Sequence, residues 1–200
     1  MPSSVVEEAL VRAWSPLHAL GVKLPEQVSE LLGGDSELES DIAMGAVLSL
    51  YWVVAMAVLR PKAERPAAWL LTAFSALTCS AAFFVSWLHL VELPDFPVGV
   101  PDVVLLDTPF SRFTARYFRV TLAMDLLLGF VFYRNQLDPL TSWFHHTAYF
   151  ALLTWAIRSR VTHCFTLFLV EEIPTFFLAL GSIDKRLRYD FVFGGTFFTL

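Results

Sequence analysis

The sequence predicts an all-α membrane protein, a polytopic bundle of about six transmembrane helices with the last one cut short. Hydrophobic residues make up 56% of the 200, charged residues only 16%, and mean hydropathy is +0.59. Soluble domains hold roughly 45–50% apolar residues (counted with Gly rather than Tyr) and about 25% charged ones. The apolar residues also collect in six runs, at 42–59, 67–91, 113–133, 143–157, 161–180 and 191–200. These runs are too long and too uniformly apolar for barrel strands, and a bilayer core admits only helices or closed barrels. The same composition excludes a disordered chain, a coiled coil and a disulfide scaffold. Net charge is −5 with no block of like charge, so no nucleic-acid partner is expected.

Residues 1–41 form an N-terminal tail, and residues 42–200 the transmembrane domain. The tail lacks the basic head of a signal peptide. Ser4-Val5-Val6-Glu7 reads as a capping box opening a short amphipathic helix with Val6, Leu10, Trp14 and Leu17 on one face, ended or bent at Pro16. Residues 21–41 are a polar connector containing Gly33-Gly34, Asp35, Glu37, Glu39 and Asp41.

The run at 42–59 has no charge, and the run at 67–91 has His89 as its only ionisable group. At 1.5 Å per residue both can cross a hydrocarbon core of about 30 Å. The next three carry Asp125, then His145 with His146, then Glu171 with Glu172. The sixth, at 191–200, is too short to cross as a helix, so the expectation is a C-terminal end that stops inside its span. Residues 92–111, with Pro94, Pro97, Pro101 and Pro109 among four acids, read as an extended acidic cap. Loops after the first, third and fifth runs hold Arg60, Lys62, Arg65, Arg134, Lys185, Arg186 and Arg188, which makes that face the better cytosolic candidate. Arg116 and Arg119, inside the third run, are expected to snorkel outward.

Ionisable groups within the bilayer are informative, because burying one costs at least about 2.5 kcal/mol at a helix centre. Asp125 needs a partner, an arginine on another helix being one choice, or must be protonated. Glu171 and Glu172 precede Pro174, which cannot donate to the carbonyl of Val170, so the helix is weakened where the acids sit. Adjacent glutamates point about 100° apart on a helix, and Glu171 is taken as the inward one. Thr175 is within reach of either. The histidine pair suits proton transfer near neutral pH or nucleophilic attack, and Tyr149 lies one turn on. The pair is expected roughly 8–10 Å nearer the membrane face than Asp125 and Glu171, from 1.5 Å per residue.

Each feature has a plainer counterpart: interfacial histidine anchors, acids that satisfy a broken helix, and a structural role for His89 and His163. Five histidines without HxxHH clusters, and no GxSxG or HExxH, argue against a di-iron hydroxylase or desaturase, a serine hydrolase or a zincin. A zinc site from His145, His146, His163 and a carboxylate is imaginable, but adjacent histidines seldom bind one ion. No metal and no cofactor are expected. Cys79 and Cys164 read as small core hydrophobes.

In order, Arg116-Tyr117-Phe118 followed by Asp125, then His145-His146, then Glu171 ahead of Pro174-Thr175 resembles the TLC-domain family. That family includes the ceramide synthases, the translocating-chain-associating membrane proteins and the smaller TLC-domain-containing proteins. The resemblance covers about residues 40–200, and the closing GGTFFTL looks like the start of the family's last conserved block. It implies a helical membrane fold around a central lipid-accessible cavity, in the endoplasmic reticulum or another endomembrane.

In ceramide synthases the paired histidines are catalytic in acyl transfer from acyl-CoA to a sphingoid amine, and His145 and His146 stand at that motif. Where those enzymes carry further polar residues this chain has Pro174, Leu178 and Gly181, so it looks more like the smaller TLC-domain-containing proteins, which are linked to membrane lipid composition. Two functions follow. One is lipid homeostasis through binding of lipid or acyl chains. The other is acyl-CoA-dependent acyl transfer, with acyl-CoA as co-substrate. In the second, His145 or His146 is base or acyl acceptor, Asp125 and Glu171 orient the reacting groups, and Tyr149, Glu172 and Thr175 contact substrate. Membrane lipids are the expected partners; the sequence gives no oligomeric state.

Overall fold

A computed structural model of the chain describes residues 35–60, 64–91 and 106–199. The expected tail helix and most of the acidic cap lie outside the described residues. Those described are helical, with no strand among them. The helices are α1 (Asp35–Leu59), α2 (Glu64–Val91), α3 (Pro109–Phe132), α4 (His145–Ser159), α5 (Thr162–Phe168), α6 (Glu172–Ile183) and α7 (Asp190–Thr199). A π-helical stretch, Pro139–Phe144, leads into α4, and a 3₁₀ turn, Leu169–Glu171, joins α5 to α6.

Among the described residues three helices are long and apolar enough to cross a membrane: Glu37–Leu59, Arg65–Val91 and, taking α5, its turn and α6 together, Thr162–Ile183. The other three runs are helical as well, but α3 carries Arg112, Arg116, Arg119 and Asp125, α4 has 15 residues and α7 has 10. α1 starts at Asp35, inside the expected connector, and its acids occupy the N-terminal turns, where the helix dipole favours negative charge.

The chain divides into two compact units, Met1–Val47 and Leu48–Leu200, the division falling inside α1. In the second unit α2 is central, packing on α3, α5 and α6, while α3 also packs on α4 and α7 on α6. Cys79, Ala115, Phe118, Leu122, Leu153, Ile157, Phe165 and Leu169 form a buried core cluster, with Tyr117 and Tyr149 against its edge. Trp52 Nε1 donates to the Ala67 carbonyl (3.1 Å), and Tyr51 stacks on Phe74 at 4.3 Å. Only 28–39% of the three membrane-length segments is buried, and Val53, Val58, Phe84 and Leu88 stand exposed. An apolar surface on that scale is suited to lipid tails rather than water.

The ends of the helices sort by chemistry. Trp52 lies beside Phe132 and Tyr133, at 4.9 and 6.2 Å between ring centroids, and Arg65 shares a cleft with Arg188. The basic loops of the sequence thus meet at one end. At the other, Thr108 caps α3 through a capping box with Ser111. Asp107 accepts from Thr162 Oγ1 and from Arg112 Nη2, each at 2.5 Å, and Ser111 Oγ lies 2.7 Å from Thr162 Oγ1. Ser111 and Thr162 are fully buried, so this clasp ties the start of α3 to the start of α5.

Burial pushes the Asp107 carboxyl up, but the Thr162 and Arg112 hydrogen bonds and the charges of Arg112 and Arg160 outweigh it and hold it below its usual range. Its contribution is therefore fully present above about pH 4, the ordinary value, and is lost as pH falls through the lower folded value. Thr162→Val is expected to cost about 1.5–3 kcal/mol, the range for hydrogen bonds to charged groups. Unfolding in detergent at pH 7 measures this. Asp107→Asn should flatten the acid limb of the stability profile; an unchanged limb would assign that limb to other carboxylates.

Candidate functional site

Asp125 projects from α3 two turns before its end. Tyr133, the C-cap residue, folds back so that its hydroxyl donates to Asp125 Oδ1 (2.8 Å) and lies 3.2 Å from the Asp125 carbonyl. Gly129, between them on the same face, makes this possible. A Cβ there would lie 2.7 Å from Leu137 Cδ2 and 2.9 Å from Tyr133 Cε2. The sequence holds the signal for this partner in the i, i+4, i+8 spacing of Asp125, Gly129 and Tyr133.

The second half of the site starts at Asp138, whose Oδ1 accepts from Leu140 N (2.9 Å) and Thr141 N (2.8 Å). The backbone N–H groups of Thr141 and Leu140 hold the Asp138 carboxyl below its ordinary range. This cap begins the helical path at Pro139, a turn and a half before His145. Both Asp125 and His146 then lie about seven residues, or roughly 10 Å, from the connecting turn. His146 and Asp125 meet through their side chains, which span the distance between the two helices: Nδ1 of His146 lies 3.4 Å from Asp125 Oδ2, with both side chains largely buried. The contact is within ion-pair distance, although His146 Nδ1 makes no hydrogen bond.

The two histidines part company. His145 is exposed, with its ring 4.6 Å from Tyr149 and 5.7 Å from His146. Tyr149 is half-buried and within electrostatic range of Glu171 and Glu172. Of the acids, Glu172 is half-buried and in electrostatic range of Cys79, whereas Glu171 is exposed, the reverse of the inward assignment made from the sequence. The 3₁₀ turn Leu169–Glu171 is the reason. It winds at about 3 residues per turn, so the facing of the pair does not follow from an uninterrupted α-helix. Thr175 Oγ1 donates to the Glu171 backbone carbonyl (3.2 Å), a group near the break caused by Pro174, and to neither carboxylate.

The structure thus joins Asp125, His146 and Tyr133 in one contact group and sets His145 and Tyr149 beside it, on the side toward the glutamates. Arg119, expected to snorkel, is 1% exposed, with its guanidinium 5.9 Å from the centroid of the Phe150 ring. The α3–α4 contact encloses it. His163 is buried, 5.9 Å from His89 between ring centroids. Among the described residues no three His, Cys, Asp or Glu side chains group as metal ligands.

Fold and site together define a membrane-type protein whose described residues are helical, with three membrane-length helices among them and a carboxylate–imidazole–phenol group among apolar segments. No family model, no curated protein and no solved structure matches the chain.

Proposed function

We propose that the chain is a multi-pass endomembrane protein of the TLC type that acts in membrane lipid homeostasis, binding a lipid or acyl chain in an intramembrane cavity between α3, α4 and α6. The resemblance supplies the family. The observation that carries the reading is the set of polar groups held among apolar segments, Asp125 and His146 largely buried and Glu172 half-buried. Such groups are costly there and mark function by default.

The test is photocrosslinking of the purified full chain with a diazirine-bearing fatty acid and a diazirine-bearing ceramide. Adducts on residues 122–149 or 172–176 that are lost in H146A and E172Q are expected. Adducts spread evenly over the exposed apolar faces would defeat the reading.

The 3.4 Å approach of His146 to Asp125 favours a second reading, an acyl-CoA-dependent acyltransferase. In that reading His146, oriented by Asp125, takes the proton of an amine as the amine attacks the thioester carbonyl. The C–N bond forms, the C–S bond breaks, and the proton passes to the departing CoA thiolate. Replacing both histidines with Ala should then abolish amide formation from acyl-CoA and a sphingoid base by at least about 100-fold, the low end for general-base catalysis. Equal rates for the variant and the wild type exclude the enzyme.

A further inference from the structure

A second candidate site lies at the basic end of the fold, lined by residues that do not include Asp125 or the histidines. There a cleft of about 150 Å³ opens between the start of α2, the end of α6 and the start of α7. Arg65, Ser182 and Arg188 supply its donors, and Phe177, Leu178 and Phe193 supply apolar walls. We infer that this cleft binds the phosphate of an anionic phospholipid, with an acyl chain leaving along the exposed apolar surface beside it.

The cleft depends on a close approach of the backbone, although the Arg188 side chain is itself 68% exposed. A Cβ on Gly181 would come 3.2 Å from the Cα and 3.3 Å from the Cβ of Arg188, so the absence of a side chain there lets Arg188 close on α6. The charges at this end are unequally committed. Arg186 is held by Asp184 through contacts of 2.6–3.1 Å, outside the cleft. Arg188 gives its Nε to Asp190 Oδ1 at 2.6 Å, which leaves its terminal N–H groups for another acceptor. Arg65 has no ion pair or hydrogen bond among the described residues. Two guanidiniums against one carboxylate leave a net positive lining, and paired Arg donors match phosphate oxygens in geometry.

Size and position select the class. The volume is below the roughly 300–1,000 Å³ that encloses a drug-sized ligand, so a headgroup fits and a whole lipid does not. The cleft sits where membrane-length helices end, on the face with the basic loops, where anionic lipid headgroups concentrate. Exposed Val192 and Phe197 continue the apolar surface along α7.

Native mass spectrometry of the full chain with dioleoyl phosphatidate and dioleoyl phosphatidylcholine tests this. Phosphatidate should be retained in preference, and R65Q/R188Q should weaken it by about tenfold or more, as loss of charge-assisted hydrogen bonds requires. K185Q/R186Q, which removes the same charge outside the cleft, should change it by less than about twofold, the size of an exposed-charge effect. Equal losses in both variants, or no preference for phosphatidate, overturn the site. Displacement by glycerol 3-phosphate at equal concentration overturns the lipid assignment in favour of a free phosphate ester. Should R65Q/R188Q fail to fold, a diazirine-bearing phosphatidate on the wild type decides: adducts within residues 177–193 support the site, and adducts only elsewhere overturn it. H145A/H146A should bind phosphatidate normally, so failure here and failure of the proposed function are separable.

Discussion

Tyr133→Phe is expected to destabilise the protein by about 1.5–3 kcal/mol, the range for hydrogen bonds to charged groups. Tyr133 is 1% exposed and its hydroxyl donates at 2.8 Å to a largely buried carboxylate, so removal leaves Asp125 Oδ1 without that donor. The effect belongs to the charged acceptor. In an Asp125→Asn background, where a neutral amide oxygen takes its place, the same change should cost about 0.5–1.5 kcal/mol. A double-mutant cycle by denaturant titration in detergent should therefore return a coupling of roughly 1 kcal/mol. A coupling of zero would mean that the phenol serves the Asp125 backbone carbonyl, 3.2 Å away, instead of the side chain.

Gly129→Val is expected to cost about 1–3 kcal/mol through overpacking, in spite of the gain in helix propensity on replacing glycine. The Leu137 methyls, 2.7 and 3.0 Å from the new Cβ, can swing aside cheaply. The Tyr133 ring, 2.9 Å away, is buried and tied to Asp125, so it must leave the carboxylate. Gly129→Ala separates the two terms: it gains about 1 kcal/mol of propensity yet still displaces the ring. Its stability should fall by about 0.5–2 kcal/mol, the cost of the lost phenol bond less that gain, while Asp125 loses the phenol. Thermal unfolding of both variants, with the Tyr133 environment followed by ultraviolet resonance Raman, reads both quantities. A Val variant as stable as wild type would show that the helix end re-forms around the side chain.

Much of the fold was legible because hydrophobic run length is a local property. All six runs are helical in the described residues, and three meet the length and apolarity needed to cross a bilayer. The candidate polar residues were legible for a related reason, since an acid or a histidine stands out against an apolar run. Their mutual placement was not. His146 reaches Asp125 because a π-helical stretch begins the fourth helix at Pro139, and Glu172 rather than Glu171 turns inward because a 3₁₀ turn precedes it. Neither irregularity follows from hydropathy. Arg119 also reads as a residue able to reach the surface until α4 closes over it.

By itself, then, the sequence determined that this chain is helical, that its surface is made for hydrocarbon, and which few side chains are out of place there. Each follows from composition along one dimension: the energy of moving a residue from water to lipid depends on the residue and its near neighbours. Only the tertiary structure decided depth and facing, and so which polar groups touch. A single non-α turn rotates and shifts every later side chain on its helix, and the energy that selects such a turn comes from caps and packing partners distant in the sequence.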